Sequence, residues 1–189
     1  VFDGFKLEAY DEEDKAFPLN VYGKTKLDGE ISILSIMKFD ALIIRSSWIY
    51  SEFGNNFVDT MIKLGQEQDE LNVVNDQLGS PTYATDLANV IIRLIQNKTF
   101  KKDNQATKIL HYSNKGEISW FLFAEKIFEL ADINCKVNPI KTKQYPRPAK
   151  RPKKTTMNTN KIKDVYDAFV PVWDVSLSTC INLLNYKKV

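Results

Sequence analysis

Hydrophobic and polar positions along the chain follow two rhythms. "ALIIRSSWIY", residues 41–50, is an apolar, β-rich run without alternation, the pattern of a strand buried on both faces. "LNVV", "KILHYSN" and "CKVNPIK" predict three further short strands. Helical spacing fills the stretches between. From Val21 to about Met37 there is no proline, and Leu27, Ile31, Leu34 and Ile36 recur at roughly helical intervals behind Asn20 as N-cap. "NNFVDTMIKLGQEQ" is amphipathic, with Phe57, Met61, Ile62 and Leu64 on one side, and "ATDLANVIIRLIQN" has a face of Leu87, Val90, Ile91 and Leu94. "EISWFLFAEKIFELA" predicts a strongly apolar helix, and "TNKIKDVYD" and "VSLSTCINLLNYKK" two closing ones. "VFDG" reads as the end of a buried strand running into a turn. "NDQLGSPT" and the proline-rich residues 145–154 read as loops, and "DEEDK" as a solvated acidic one.

Strands alternating with helices argue for an α/β layer with a parallel sheet. The chain has 189 residues, enough for one substantial core or one and a half small ones. Its hydrophobic content of 43 % lies well above the disordered range. A net charge of +2 offers no field to attract nucleic acid or an anionic membrane. The longest apolar runs fall short of a bilayer span, and no cationic leader opens the chain. Cys135 and Cys180 form no CxxC, so a disulfide scaffold and a zinc site are not expected and a reducing cytoplasm is the default. His111 is the one histidine; it lies in an apolar strand and reads as core, which excludes serine-protease-type triads and multi-histidine metal sites.

The seven glycines form no GxGxxG or GxxGxxG. A dinucleotide-binding half, with pyrophosphate on a helix N-terminus, is therefore expected upstream of this chain. The opening at Val1, inside what reads as a strand end, carries the same expectation of a longer protein.

The candidate chemistry begins at "NVYGKTKLDGE", which sets Tyr22 and Lys26 four residues apart in the first turns of a helix. With eight tyrosines in a lysine-rich chain, about one such spacing is expected by chance, so the count alone decides nothing. The chemistry is more informative. Residues i and i+4 share a helix face, so an ammonium can sit beside the phenol. A phenol with a reference pKa near 10 exchanges protons poorly at neutral pH, and an adjacent cation favours the phenolate. Such a pair suits carbonyl reduction, where a donor protonates the oxygen while hydride arrives from a nicotinamide.

"VFDG", "NVYGKTKLDGE", "RSSWIYSEFGNNFVDTM", "VVNDQLGSPTYATDLA" and "RPKKTTMNTNKI" occur in an order and spacing that resembles the C-terminal part of the dTDP-4-dehydrorhamnose reductase family, a branch of the extended short-chain dehydrogenases/reductases. The resemblance implies the second half of a Rossmann-like parallel-sheet domain (residues 1–50 and 84–114) interleaved with a small α+β substrate-binding domain (51–83 and 115–189). It also implies NADPH-dependent reduction, NADH being open, of the C4 carbonyl of dTDP-4-dehydro-L-rhamnose to dTDP-L-rhamnose for surface polysaccharide. Tyr22 then protonates the carbonyl oxygen and Lys26 bonds the nicotinamide ribose, while a serine or threonine completing the set falls before Val1. Alone, the chain is expected to be inactive.

By the same resemblance Ser46 and Ser47 pass close to the nicotinamide. Trp48 lies at the sugar pocket or in ordinary core, and Asn56 meets the diphosphate or serves only as an N-cap. Gln77 and Thr82 line the nucleotide pocket or a structural turn. Arg151 stands either in a cationic loop over the diphosphate or on a solvated basic surface. Trp120 and Trp173 read as packing residues. Ser51 departs from a glycine frequent in the family, which bears on the loop after the strand. The implied partner is a dTDP-sugar, with no nucleic acid and no membrane; a homodimer and a structural Mg²⁺ at a subunit contact stay open. Two alternatives also remain: another nucleotide-sugar reductase or epimerase with the same pair, and a non-catalytic regulatory subunit of the methionine adenosyltransferase type.

Overall fold

A computed structural model describes residues 1–37, 41–96 and 108–186. Its strands, in chain order, are β1 (Leu42–Arg45), β2 (Ile49–Tyr50), β3 (Glu70–Val74), β4 (Leu78–Gly79), β5 (Thr82–Tyr83), β6 (Lys108–His111), β7 (Ile118–Ser119) and β8 (Lys136–Ile140). The helices are α1 (Val21–Met37), α2 (Phe57–Glu67), α3 (Ala84–Gln96), α4 (Trp120–Ala131), α5 (Asn160–Tyr166) and α6 (Trp173–Tyr186). Asn97, Lys187 and Lys188, expected at helix ends, lie outside the described residues. Three strand pairs are parallel, β1 with β6, β2 with β5 and β3 with β8, whereas β4 and β7 run antiparallel. The α/β class with parallel pairing holds.

Local chemistry explains where helices begin. Asn20 Oδ1 accepts from the Gly23 amide at 2.8 Å, an N-cap that opens α1. Asn56 Oδ1 accepts from the Val58 and Asp59 amides and opens α2. Ser119 Oγ accepts from Leu122 and opens α4. Helix α4 buries Phe123, Ala124, Ile127 and Phe128 at the centre of one hydrophobic cluster, beneath α2, α6, β3 and the paired Tyr50 and Tyr83. Gly65 lets α2 approach α4 closely, since a Cβ there would lie 2.7 Å from Phe128 Cε1. A second cluster joins Val90 and Leu94 of α3 to Leu110 and Tyr112 and to Ile162 and Tyr166 of α5.

Several expectations change. The run at residues 41–50 is not one strand: Trp48 takes the left-handed region (φ 49°), which a bulky residue occupies only against steric cost, and this breaks the run into β1 and β2. Only Ile43 of β1 is buried, so the two-sided burial is partial. Among the described residues the "VFDG" stretch pairs with no strand, and Phe2 stacks on Tyr10 at 4.2 Å. The loop after β3 carries β4 and β5, because Leu78 and Gly79 find partners in β7 and Thr82 and Tyr83 in β2. In the acidic loop, Glu12 accepts from the His111 amide at 2.9 Å, so that carboxylate is used rather than solvated. The periodic residues Ile31, Leu34 and Ile36 of α1 are exposed; what α1 buries is Gly23 and Glu30.

Candidate active site

A cavity of about 550 Å³ opens where segments far apart in sequence converge. Phe57 and Met61 of α2, Val73 and Val74 of β3 and Trp120 of α4 supply its apolar wall. The rest of the lining comes largely from the loop after the 3₁₀ turn at Thr142–Gln144, with Tyr145, Arg147, Lys150, Arg151 and Lys153. Four cations thus face a lining whose single carboxylate is Asp3. An apolar, aromatic wall under a cationic rim suits a ligand with a planar ring and an anionic group.

Trp120 stacks on Trp48 with centroids 3.5 Å apart and planes 13° from parallel. The stack fits only because residue 79 is glycine: a Cβ there would lie 2.5 Å from Thr155 Oγ1 and 2.7 Å from the Trp48 ring. The Trp48 carbonyl accepts from the Thr82 amide at 3.2 Å, which holds the left-handed turn. Trp48 therefore packs behind the wall, and Trp120 is the tryptophan that lines the cavity.

The expected site residues separate into groups. Gln77 and Arg151 line the cavity. Asn56 is spent on the α2 cap and on the Ser51 carbonyl, to which its amide donates at 2.8 Å. Thr82 is buried in the β2–β5 pair, its hydroxyl without a partner among the described residues. Ser47 donates to the Ser80 carbonyl at 2.7 Å. The Ser46 hydroxyl, just past β1, is enclosed with no partner among the described residues. Tyr22 is 71 % exposed, and Lys26 Nζ stands 5.5 Å from its ring centroid. This pair lies outside the cavity lining but close to its edge: Leu19 lines the cavity, and the Asn20 side-chain Nδ2 donates to the Lys150 carbonyl at 2.8 Å.

Arg147, Lys150, Lys153, Thr142 and Trp120 were not legible as cavity residues. The cations were visible as a basic loop, and no signal told one side of that loop from the other. Trp120 sits at the start of an apolar helix, where packing is the ordinary reading.

Around His111, the strand pair builds a second polar cluster. Arg45 grips Glu30 through Nε and Nη2 at 2.9 and 2.7 Å, and its guanidinium lies 5.1 Å from the Phe2 ring centroid. Arg45 Nη1 also points at His111 Nε2 at 3.4 Å, and His111 Nδ1 lies 3.2 Å from the Tyr10 carbonyl. A guanidinium only donates and a carbonyl only accepts, so the ring is neutral with its proton on Nδ1. Burial holds the His111 pKa below its ordinary value; Glu12 opposes that shift and Arg45 adds to it.

Parallel strand pairs with helices packed on them, and a cation-rimmed cavity beside a Tyr-x-x-x-Lys helix, define an α/β protein with a candidate anion-binding site. Residues 1–186 match the family described as RmlD substrate binding domain, and the chain belongs to that family. A dTDP-4-dehydrorhamnose reductase of Sinorhizobium fredii is 38 % identical over 180 residues, covering 93 % of this chain and 60 % of that protein. The crystal structure of such a reductase from Clostridium acetobutylicum superposes with a TM-score of 0.88 at 40 % identity, over 98 % of this chain and 63 % of the other. A Bacillus anthracis reductase in complex with NADP gives a TM-score of 0.87 at 38 % identity, over 97 % and 62 %. The chain thus spans about three-fifths of the length of the relatives it matches. Among the described residues no helix is long and apolar enough to cross a membrane.

Proposed function

We propose that the protein reduces the C4 carbonyl of dTDP-4-dehydro-L-rhamnose to give dTDP-L-rhamnose, using NADPH. The observation that carries this reading is the placement of Lys26 beside the Tyr22 ring on a helix whose first residues are tied to a cation-rimmed cavity. The sugar nucleotide lies with its diphosphate against the 147–153 cations and its flat apolar parts on the aromatic wall. Residues 1–50 and 84–114 then belong to the cofactor-side domain, and 51–83 and 115–189 to the substrate-binding domain. A cytoplasmic location and a homodimer are compatible with this reading.

A nicotinamide site is supported from this chain by the enclosed Ser46 hydroxyl at the carboxyl end of β1, without a partner among the described residues, and by the accessible Tyr22 and Lys26. Bound NADPH supplies the hydride. Tyr22 gives its hydroxyl proton to the sugar O4, and the Lys26 ammonium offsets the negative charge left on the phenol. Ser46 and Ser47 bind the cofactor edge; since Ser47 already donates to Ser80, it is left to accept.

The deciding assay is NADPH oxidation with dTDP-4-dehydro-L-rhamnose by the full-length protein and its Tyr22→Phe variant. Turnover that falls roughly a hundredfold or more in the variant, the scale of general acid catalysis, is expected. Cofactor binding with no turnover in either protein would sink the reductase reading.

A further inference from the structure

The cavity wall contains a hydrogen-bond relay in which every proton can be assigned. Asp76 Oδ1 accepts from the Thr142 amide at 2.8 Å and from the Thr142 hydroxyl at 2.6 Å. Burial opposes ionisation of Asp76, but those two bonds, with its own amide and the Lys153 charge, outweigh it, and its carboxyl sits below the ordinary value. At neutral pH Asp76 is therefore a carboxylate with no proton to give. The single Thr142 hydroxyl proton goes to Asp76, which leaves Oγ1 with lone pairs alone for its next neighbour.

That neighbour is the side chain of Gln77, whose Nε2 donates to Thr142 Oγ1 at 3.0 Å. The flipped amide would set two acceptors face to face, so the relay decides an orientation that an isolated glutamine leaves open. Gln77 is buried and lines the cavity. Its Oε1 accepts no hydrogen bond among the described residues and is left, on a residue that lines the cavity, as the acceptor for a ligand.

Resting on the reading that this cavity takes a dTDP-sugar, we infer that Asp76 and Thr142 are positioning residues that hold the Gln77 carbonyl oxygen as a fixed acceptor for the N3–H of the base. Thymine and uracil carry a donor at N3, whereas cytosine carries a lone pair there. The relay thus selects imide-bearing pyrimidines. A buried acceptor facing another acceptor loses its hydrogen bond and keeps its desolvation penalty, so discrimination of roughly tenfold or more follows.

The test is calorimetric titration of the full-length protein with dTDP and dCDP, which share deoxyribose and diphosphate. Wild type is expected to bind dTDP at least about tenfold tighter. Thr142→Val retains the amide bond to Asp76 but frees the Gln77 amide to flip, so the dTDP/dCDP ratio falls toward one with diphosphate-driven binding retained. Thr142→Ser restores the ratio, which a merely structural role for the hydroxyl would not predict. Gln77→Leu, which removes the acceptor without touching the Asp76–Thr142 bonds, also brings the ratio toward one. Equal binding of both nucleotides by wild type, or an unchanged ratio in Thr142→Val or Gln77→Leu, overturns the relay and leaves the diphosphate cavity standing. Failure of wild type to bind either nucleotide overturns both.

Discussion

Arg45, at the end of β1, holds Glu30 of α1 in a two-pronged ion pair at 2.7 and 2.9 Å, with both side chains about nine-tenths buried. The helix that carries Tyr22 and Lys26 is thereby tied to β1 by a buried ion pair. Breaking one partner leaves the other charge buried and unpaired, which costs about 3–5 kcal/mol. Glu30→Gln is expected to lower stability by close to that amount in denaturant titration. The double variant Glu30→Leu/Arg45→Met should recover most of the loss, because apolar packing replaces a buried pair at little net cost. An additive double variant would show that the pair does not act as a unit.

His111 makes stability depend on pH in a defined direction. Its folded pKa lies below its unfolded value of about 6.5, so the unfolded chain takes up a proton first as pH falls. The stabilisation is present above about 6.5 and lost as pH falls through the folded value. The groups facing the ring are Arg45 and the Tyr10 carbonyl, with Glu12 and Asp11 as opposing charges. Asp3, Asp14 and Asp76 are also shifted downward, but they act below their unfolded values near 4. Thermal melts of wild type between pH 7.5 and 5.5 are expected to fall more steeply than those of His111→Gln. Parallel slopes would remove His111 from the account.

Gly79→Ala tests the tryptophan stack. The added Cβ meets Thr155 Oγ1 and the Trp48 ring at 2.5 and 2.7 Å, and neither distance is tolerable without movement. Overpacking of this kind costs about 1–3 kcal/mol. Near-UV circular dichroism should lose its tryptophan signal as Trp48 shifts from Trp120, and nucleotide affinity should weaken through the displaced wall. An unaltered spectrum would mean the ring is free to yield.

Gly65→Ala serves as a comparison away from the cavity. Its Cβ would press on the Phe128 ring at 2.7 Å and Ile133 Cγ2 at 2.9 Å, between α2 and α4. A stability loss of about 1–3 kcal/mol is expected, with the tryptophan signal retained.

The cationic rim predicts salt-sensitive binding. Arg151→Ala should weaken dTDP roughly tenfold at low salt and leave thymidine, which lacks phosphate, nearly unchanged. Equal loss for both ligands would place Arg151 in loop structure instead.

Sequence by itself determined the helices and the starts that an asparagine cap marks. It did not determine the start of α4, expected at Glu117 and found at Trp120 because Ile118 and Ser119 pair with β4. Asn20, Asn56 and the periodic apolar residues of α2, α3 and α4 act within a turn or two, so the chain announces them locally. The same short-range logic put Tyr22 and Lys26 on one face and His111 in the core. Tertiary structure decided what depends on partners distant in the chain. Ile31, Leu34 and Ile36 have the spacing of a buried stripe, but periodicity does not say what lies opposite, and the pairing of Glu30 with Arg45 across 15 positions lay outside that pattern. Trp48 and Trp120 are 72 positions apart, and only the fold shows which of them lines the cavity and which backs it. The orientation of Gln77 was equally hidden, because it depends on Thr142 surrendering its one proton to Asp76, a competition that exists only once two distant loops are packed together.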